Sequence, residues 1–299
     1  MDIQDVRVKE EPLFFGKARS LMGIITDPPK APRDENFPAV IFLNAGIVHR
    51  VGPHRMFVKM ARSLANLGFV ALRFDHSGIG DSKARNDRLS FEQSSVSETR
   101  EAMDCLSTIR GRKRFVLVGL CSGTPTSFRT ACLDPRVVGL ILLNGVLESP
   151  DKINQEVISY VLNHKIARSY WQGKLFHPPS WLKVISGKAN YKQIVNVLTS
   201  RLRDLFVPDA KVALGANHIV GDLRSLVAGG VKLLFVYSEG TAVLEYFRMA
   251  LDKEIRKLRA SEKVKVQIIQ RTDHTFTLLR HQEELLGLVC DWALDVVLD

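Results

Sequence analysis

The sequence has no apolar run of the roughly 18 to 20 residues that cross a bilayer, which argues against a membrane-spanning helix and a membrane partner. It has no low-complexity tract and no internal repeat, which excludes a solenoid or a collagen-like chain. It has only four cysteines in 299 residues: Cys105, Cys121, Cys132 and Cys290. They form no CxxC pair and no Cys/His spacing of a zinc site, so no metal or bound cofactor is implied. Three of them read as buried small hydrophobes in a reducing compartment. The opening stretch, MDIQDVRVKEEPLF, carries acids and lacks a basic region followed by an apolar one. It does not read as a secretory leader, so the expected location is the cytoplasm. The net charge is +10, but no DNA- or RNA-binding motif accompanies it, so nucleic acid is not an expected partner.

What is present is an ordinary globular balance, 45% hydrophobic and 25% charged, long enough for one large domain or a domain with an insert. Strand-like and helix-like segments alternate, the pattern of an α/β fold with a mainly parallel sheet. PLFFGKARSLMGIITDP reads as an opening hairpin with Gly16 near its turn. AVIFLN, RFVLVGL, VVGLILLNG and VKLLFVYS are continuous apolar runs, as expected of strands buried on both faces. FVALRFD and VKVQIIQ are further strands. HRMFVKMARSLANLG, SFEQSSVSETREAMDCLSTIR and AVLEYFRMALDKEIRKLRA have helical spacing, and a last helix runs through EELLGLVCDWALDVV. The alternation breaks between about Glu148 and Val220. Residues 1–147 and 221–299 thus read as two parts of one core, and 148–220 as a helical insert.

One short stretch carries chemistry: VGLCSGT, residues 118–124. It follows a buried strand and opens a helix. A tight strand-to-helix turn that presents a nucleophile needs small residues two before and two after it, because the backbones meet there. Centring the turn on Cys121 puts Gly119 and Gly123 at those positions. Centring it on Ser122 puts Leu120 and Thr124 there, and a leucine would clash. Cys121 is therefore the predicted nucleophile. The Ser122 N–H is a predicted oxyanion donor, with a second from the loop Asn44-Ala45-Gly46-Ile47, at Gly46 or Ile47.

The base should lie in the loop after the last strand, where RTDHTF places His274. His281, inside the final helix, reads as a surface residue. His49 and His54 follow an early strand and are candidates to line the pocket. The acid has no clear owner. Thr241 stands where an aspartate is usual and cannot ionise. Glu239 is the first substitute, with Glu148 or Asn144 reaching from the other side. A cysteine makes this gap less damaging. A thiol beside histidine at a helix N-terminus ionises readily, and its imidazole needs an orienting group that need not be a carboxylate.

These residues together resemble the α/β-hydrolase superfamily, over nearly the whole chain. The segment RFDHSGIGDS is similar to one common after that fold's fourth strand. More narrowly, NAGIVHRVGPHR, RFDHSGIGDS and GLCSGT resemble a bacterial subgroup related to exosortase-associated hydrolases and serine-aminopeptidase-like proteins. That subgroup carries a cysteine in the elbow and commonly an aspartate where Thr241 stands here. The resemblance implies a central, mostly parallel sheet flanked by helices, with 148–220 as a cap over the site.

A cysteine elbow suits acyl transfer or thioester cleavage, since exchange of one thioester for another is nearly balanced in energy. The leading expectation is a thioesterase or acyltransferase acting through an acyl-Cys121, with His274 moving the proton. Residues 151–220 hold ten Lys/Arg against four Asp/Glu, or +6 in all. A basic cap would attract an anionic acyl thioester, carried by coenzyme A or by an acidic carrier protein. The opposing reading of these lysines is a solvated helix face. Trp171 is a candidate acyl-pocket wall or a cap-core residue, as is Trp181. Arg55 is a candidate clamp for a carboxylate or phosphate, or a surface ion pair. Ile47 is the third substrate-contact candidate. Two other readings stand beside this one: a small-molecule ester, lactone or amide hydrolase using the same residues, and a non-catalytic binding or scaffold protein that has lost its acid.

Overall fold

The computed structural model describes residues 8–30, 37–148 and 217–298. The opening hairpin pairs β1 (Lys9–Phe15) with β2 (Leu21–Asp27), and Gly16, at φ 73°, makes the turn. The remaining strands are β3 (Ala39–Leu43), β4 (Ala71–Phe74), β5 (Phe115–Leu120), β6 (Val137–Leu143), β7 (Lys232–Ser238) and β8 (Val264–Ile269). They form one eight-stranded sheet in the order β1-β2-β4-β3-β5-β6-β7-β8. β1 and β2 run antiparallel to their neighbours, and every pair from β4 to β8 is parallel.

The continuous apolar strands are buried on both faces, and alternate residues feed two cores. In β3, Ile41 and Leu43 join one cluster, and Val40 and Phe42 the other. The first cluster takes the helices α2 (Phe91–Arg110), α3 (Gly123–Leu133), α4 (Asn217–Ala228), α5 (Ala242–Ala250) and α6 (Asp252–Leu258) through Leu106, Phe128, Leu223, Leu244 and Ile255. The second takes α1 (Met56–Asn66) and α7 (Leu279–Leu298) through Met60, Leu64, Leu285 and Val289. Each such side chain contributes about 2 kcal/mol by leaving water.

Local signals end the helices where the sequence implies. Ser90 and Gln93 form a capping box on α2, and Gly111 closes it in the left-handed conformation. One expected element is divided. The stretch 242–260 reads as a single helix, but it breaks at Leu251, whose φ of −125° is not helical. Leu251 is buried in the core, and its carbonyl accepts the Ile255 amide at 2.8 Å. Burial of this side chain outweighs continuation of the helix.

The insert read at 148–220 lies, but for its ends, outside the described residues, as do Trp171 and Trp181. At its far end α4 crosses residue 220 without interruption. No helix among the described residues is long and apolar enough to cross a membrane.

Candidate active site

Cys121 stands at the C-terminal end of β5, between that strand and α3. Its φ is +54°, a left-handed conformation that costs a non-glycine residue roughly 1–2 kcal/mol. The surrounding structure imposes it. The Cys121 amide donates to Leu143 O at 2.9 Å, and its carbonyl accepts the Thr124 amide at 3.1 Å. A Cβ on Gly119 would stand 2.5 Å from the Gly123 carbonyl carbon and 2.6 Å from Ser127 Oγ. A Cβ on Gly123 would stand 2.9 Å from Asn44 O. A third glycine, Gly145, lets the end of β6 pass beside the turn, for its Cβ would stand 2.6 Å from Cys121 O. The close contacts fall two before and two after Cys121, which is exposed, while the first turn of α3 is buried behind it. The helix N-terminus lends its positive end to that position.

The second wall is the loop after β3. Asn44 is buried, and its Nδ2 donates to Val48 O at 3.0 Å and to Asp75 Oδ1 at 3.2 Å. Its Oδ1 accepts the His76 amide at 2.8 Å. Asp75 is fully buried and ion-paired with Arg50, whose backbone amide it also accepts at 2.5 Å. The segment RFDHSGIGDS thus works here as a brace for residues 44–50. Gly80 is required within it, because a Cβ there would stand 2.7 Å from Asp75 Cγ. The brace holds Gly46 over the elbow, and the Gly46 amide donates to Ser122 Oγ at 2.6 Å. Ile47, beside it, is 92% exposed.

The third wall carries His274, in the loop between β8 and α7. Asn144, at the end of β6, holds this loop. Its Nδ2 donates to His274 O at 2.8 Å and to Ser238 Oγ at 2.7 Å, and its Oδ1 accepts the Ser238 amide at 2.7 Å. Ser238 Oγ in turn donates to Asp273 O at 2.7 Å. Residues 143 and 144, adjacent in the chain, therefore bond the backbones of Cys121 and His274. Burial lowers the His274 imidazole below its ordinary value, and the nearby Asp273 carboxylate opposes that. The net lowering favours the neutral ring, the form that accepts a proton.

None of the acid candidates bonds the His274 ring among the described residues. Thr241 caps α5: its Oγ1 accepts the Leu244 amide at 3.3 Å and donates to Ser238 O at 3.0 Å. The Glu239 carboxylate accepts the Arg271 amide at 3.2 Å, and the Gln270 side-chain nitrogen, suitably oriented, at 2.7 Å and 2.8 Å. Glu148 faces His218 Nε2 at 3.2 Å. Asn144 reaches the histidine's carbonyl rather than its ring. The carboxylate that acts on His274 is its own neighbour, Asp273, which the sequence reading passed over. Asp273 Oδ2 accepts the hydroxyls of Thr275 and Thr277, each at 2.8 Å, and Oδ1 the Thr277 amide at 2.8 Å. Partial burial works against its charge, but these bonds win and hold it well below the usual carboxylate range. The pattern D-H-T-F-T was the available signal: an aspartate followed by hydroxyls two and four residues on.

Other expectations meet the structure unevenly. His54 Nε2 bonds Thr277 Oγ1 at 3.1 Å, tying the start of α1 to the histidine loop. Arg55 is exposed at the N-cap of α1, with no ion pair among the described residues. His281, expected at the surface, is buried, because α7 turns this position onto α1 and the sheet. Cys132 is exposed and Cys105 and Cys290 are half-buried, so none of the three is the fully buried hydrophobe expected. A cavity of about 450 Å³ opens beside Cys132, Asp134 and Val137. It lies at the start of β6, the opposite end of the sheet from Cys121, and holds no paired nucleophile and base.

The sheet order, the crossing helices and the strand-to-helix turn after β5 define the α/β-hydrolase fold. Residues 38–165 match the family model described as alpha/beta hydrolase fold. Solved structures of this fold cover most of the chain. A hypothetical protein from Pseudomonas aeruginosa is 14% identical, covering 94% of this chain and 93% of its own, with a TM-score of 0.57. A proline iminopeptidase from Mycobacterium smegmatis is 15% identical, covering 97% and 99%, at 0.57. An alpha-beta serine hydrolase homologue from Coxiella burnetii is 14% identical, covering 94% and 96%, at 0.52. No curated protein matches the chain in sequence.

Proposed function

We propose that the chain is a cysteine-dependent acyl-group enzyme, a thioesterase or acyltransferase that takes an acyl group from a coenzyme A or carrier-protein thioester. The observation that carries this reading is the pair of backbone contacts at Gly119 and Gly123, centred on Cys121 at φ +54°. In the first step Cys121 Sγ attacks the carbonyl carbon as its proton passes to His274. The carbonyl electrons move to oxygen, beside the Ser122 amide at the head of α3. Collapse expels the leaving thiolate, which takes the proton from His274. Water, an amine or a second thiol then attacks the acyl-Cys121. Thr241 supports a thiol over a hydroxyl nucleophile. The usual acid is replaced by a helix cap, and a serine depends more on a carboxylate-backed imidazolium than a cysteine does. The thioester half of the proposal draws on the +6 charge of residues 151–220.

Intact-protein mass spectrometry after brief exposure to acyl-coenzyme A and acyl-carrier thioesters tests it. The expected result is an acyl adduct on the wild type and none on Cys121→Ala. Its decay with and without added amine or thiol separates transferase from hydrolase. No adduct and no turnover with any donor would sink the thioester reading. Turnover confined to lactones or aryl esters would favour hydrolysis of small molecules by the same residues.

A further inference from the structure

The backbone amide expected as the second oxyanion donor is already engaged. A backbone amide has one proton, and Gly46, the expected donor, gives its proton to Ser122 Oγ at 2.6 Å. Ser122 is the N-cap of α3, where a serine ordinarily accepts an amide from its own helix. It makes no such cap bond and is bonded instead to a loop 76 residues away. A hydroxyl has one proton to donate and two lone pairs to accept with. One lone pair is taken by Gly46, and among the described residues the Ser122 proton has no acceptor. The side chain is half-buried, immediately after the exposed Cys121. An unspent donor, backed by an amide, therefore lies beside the atom that attacks.

We propose that Ser122 is a catalytic residue whose Oγ–H donates to the substrate oxygen as negative charge develops there, with Gly46 N–H acting through it. This rests on the acyl-Cys121 reading above. Ser122 forms and breaks no covalent bond. The Cys121 sulfur bonds the carbonyl carbon, the π electrons move to oxygen, and they return as the leaving group departs. The hydroxyl keeps its proton throughout and supplies one hydrogen bond, strengthened because its own oxygen accepts from Gly46. The Ser122 amide and hydroxyl then address the same oxygen from one residue.

Two probes of Cys121 separate this role from any other. Iodoacetamide alkylates sulfur by displacing iodide and places no charge on a carbonyl oxygen. p-Nitrophenyl acetate acylates sulfur through a tetrahedral oxyanion and releases nitrophenolate. In Ser122→Ala the alkylation rate should stay within about twofold of wild type, while acylation falls about 10- to 100-fold, toward the range for loss of one oxyanion donor. Equal alkylation also reports that the variant is folded around its nucleophile. Acylation unchanged, or faster because the freed Gly46 amide serves directly, would overturn the assignment of Ser122 alone. A wild type that alkylates but never acylates would overturn the acyl-Cys121 reading, and this one with it.

Discussion

At the scale of single residues, the site divides into what local sterics dictate and what distant contacts decide. The tight turn centred on Cys121 was readable because its constraint is local: two glycines within two residues, and a Cβ on either meets backbone. Ser122 Oγ was not, since its partner Gly46 is 76 residues away and a hydroxyl beside a helix start reads first as a cap. Asp273 was overlooked for a related reason. Its charge is held by Thr275 and Thr277, so it resembles a turn residue, yet it lies close enough to His274 to oppose the effect of burial. This gives a signed expectation. Asp273→Asn removes the charge that raises the His274 value and leaves the burial that lowers it. If His274 takes the Cys121 proton as proposed, the acid limb of the acylation rate should therefore move to lower pH. A pH–rate profile of the variant checks this. A limb that stays put, or moves up, would mean that another group carries the proton.

At the scale of elements, the parallel strands were legible because burial on both faces writes them as unbroken apolar runs, as in Phe115–Leu120. The break at Leu251 was hidden, because a residue that leaves a helix to reach the core looks the same in sequence as one that stays in it. Thr241 was expected at the usual acid position, and its work as a cap needed the Leu244 amide to be seen. The junction of β6, β7 and the histidine loop was the least visible. It depends on Asn144, fully buried at φ +44°, an angle asparagine tolerates better than most residues. Removing its carboxamide strands the Ser238 amide and the His274 carbonyl together. Buried unsatisfied groups cost about 1–3 kcal/mol each, so Asn144→Ala should lose roughly 2–6 kcal/mol of stability. It should also slow Cys121 acylation at least about tenfold, through a misplaced base. Urea denaturation and acylation kinetics on one preparation test both. Full stability with full activity would show that the loop is held by its own threonines.

At the scale of the whole molecule, the brace that shapes the site also makes the fold sensitive to acid. His76 is buried between the sheet and α2, its ring 4.7 Å from the Phe74 ring and 6.0 Å from that of Phe91. Its Nδ1 is 3.6 Å from Glu98, which also accepts the Ser77 amide at 3.0 Å and Arg85 at 3.0 Å. Glu98 and Asp75 favour a charged ring, but burial dominates and lowers the imidazole from 6.5 to about 4. The pair is therefore a contact between a neutral ring and a carboxylate rather than an ion pair. Between those two values the unfolded chain binds a proton that the folded chain refuses. Stability accordingly falls as pH drops from about 6.5 to 4 and loses no more from this group below that. The shift corresponds to about 3 kcal/mol across the window. Unfolding free energies of wild type and His76→Gln, measured from pH 7 to 4, should change by amounts that differ by about 3 kcal/mol across the window, whatever their offset. Parallel curves would show that His76 takes up its proton without cost. The loss would reach beyond one side chain. Asp75, next in the chain, holds Arg50 and Asn44, and its carbonyl accepts from Ser82 Oγ, which in turn accepts the Met22 amide of β2 at 2.8 Å. A proton forced onto His76 would thus loosen the loop that carries Gly46 and the second strand of the sheet together. Acid unfolding should accordingly begin at the brace, and amide exchange followed as pH falls should rise in residues 44–50 and β2 before it rises in β5 and β6.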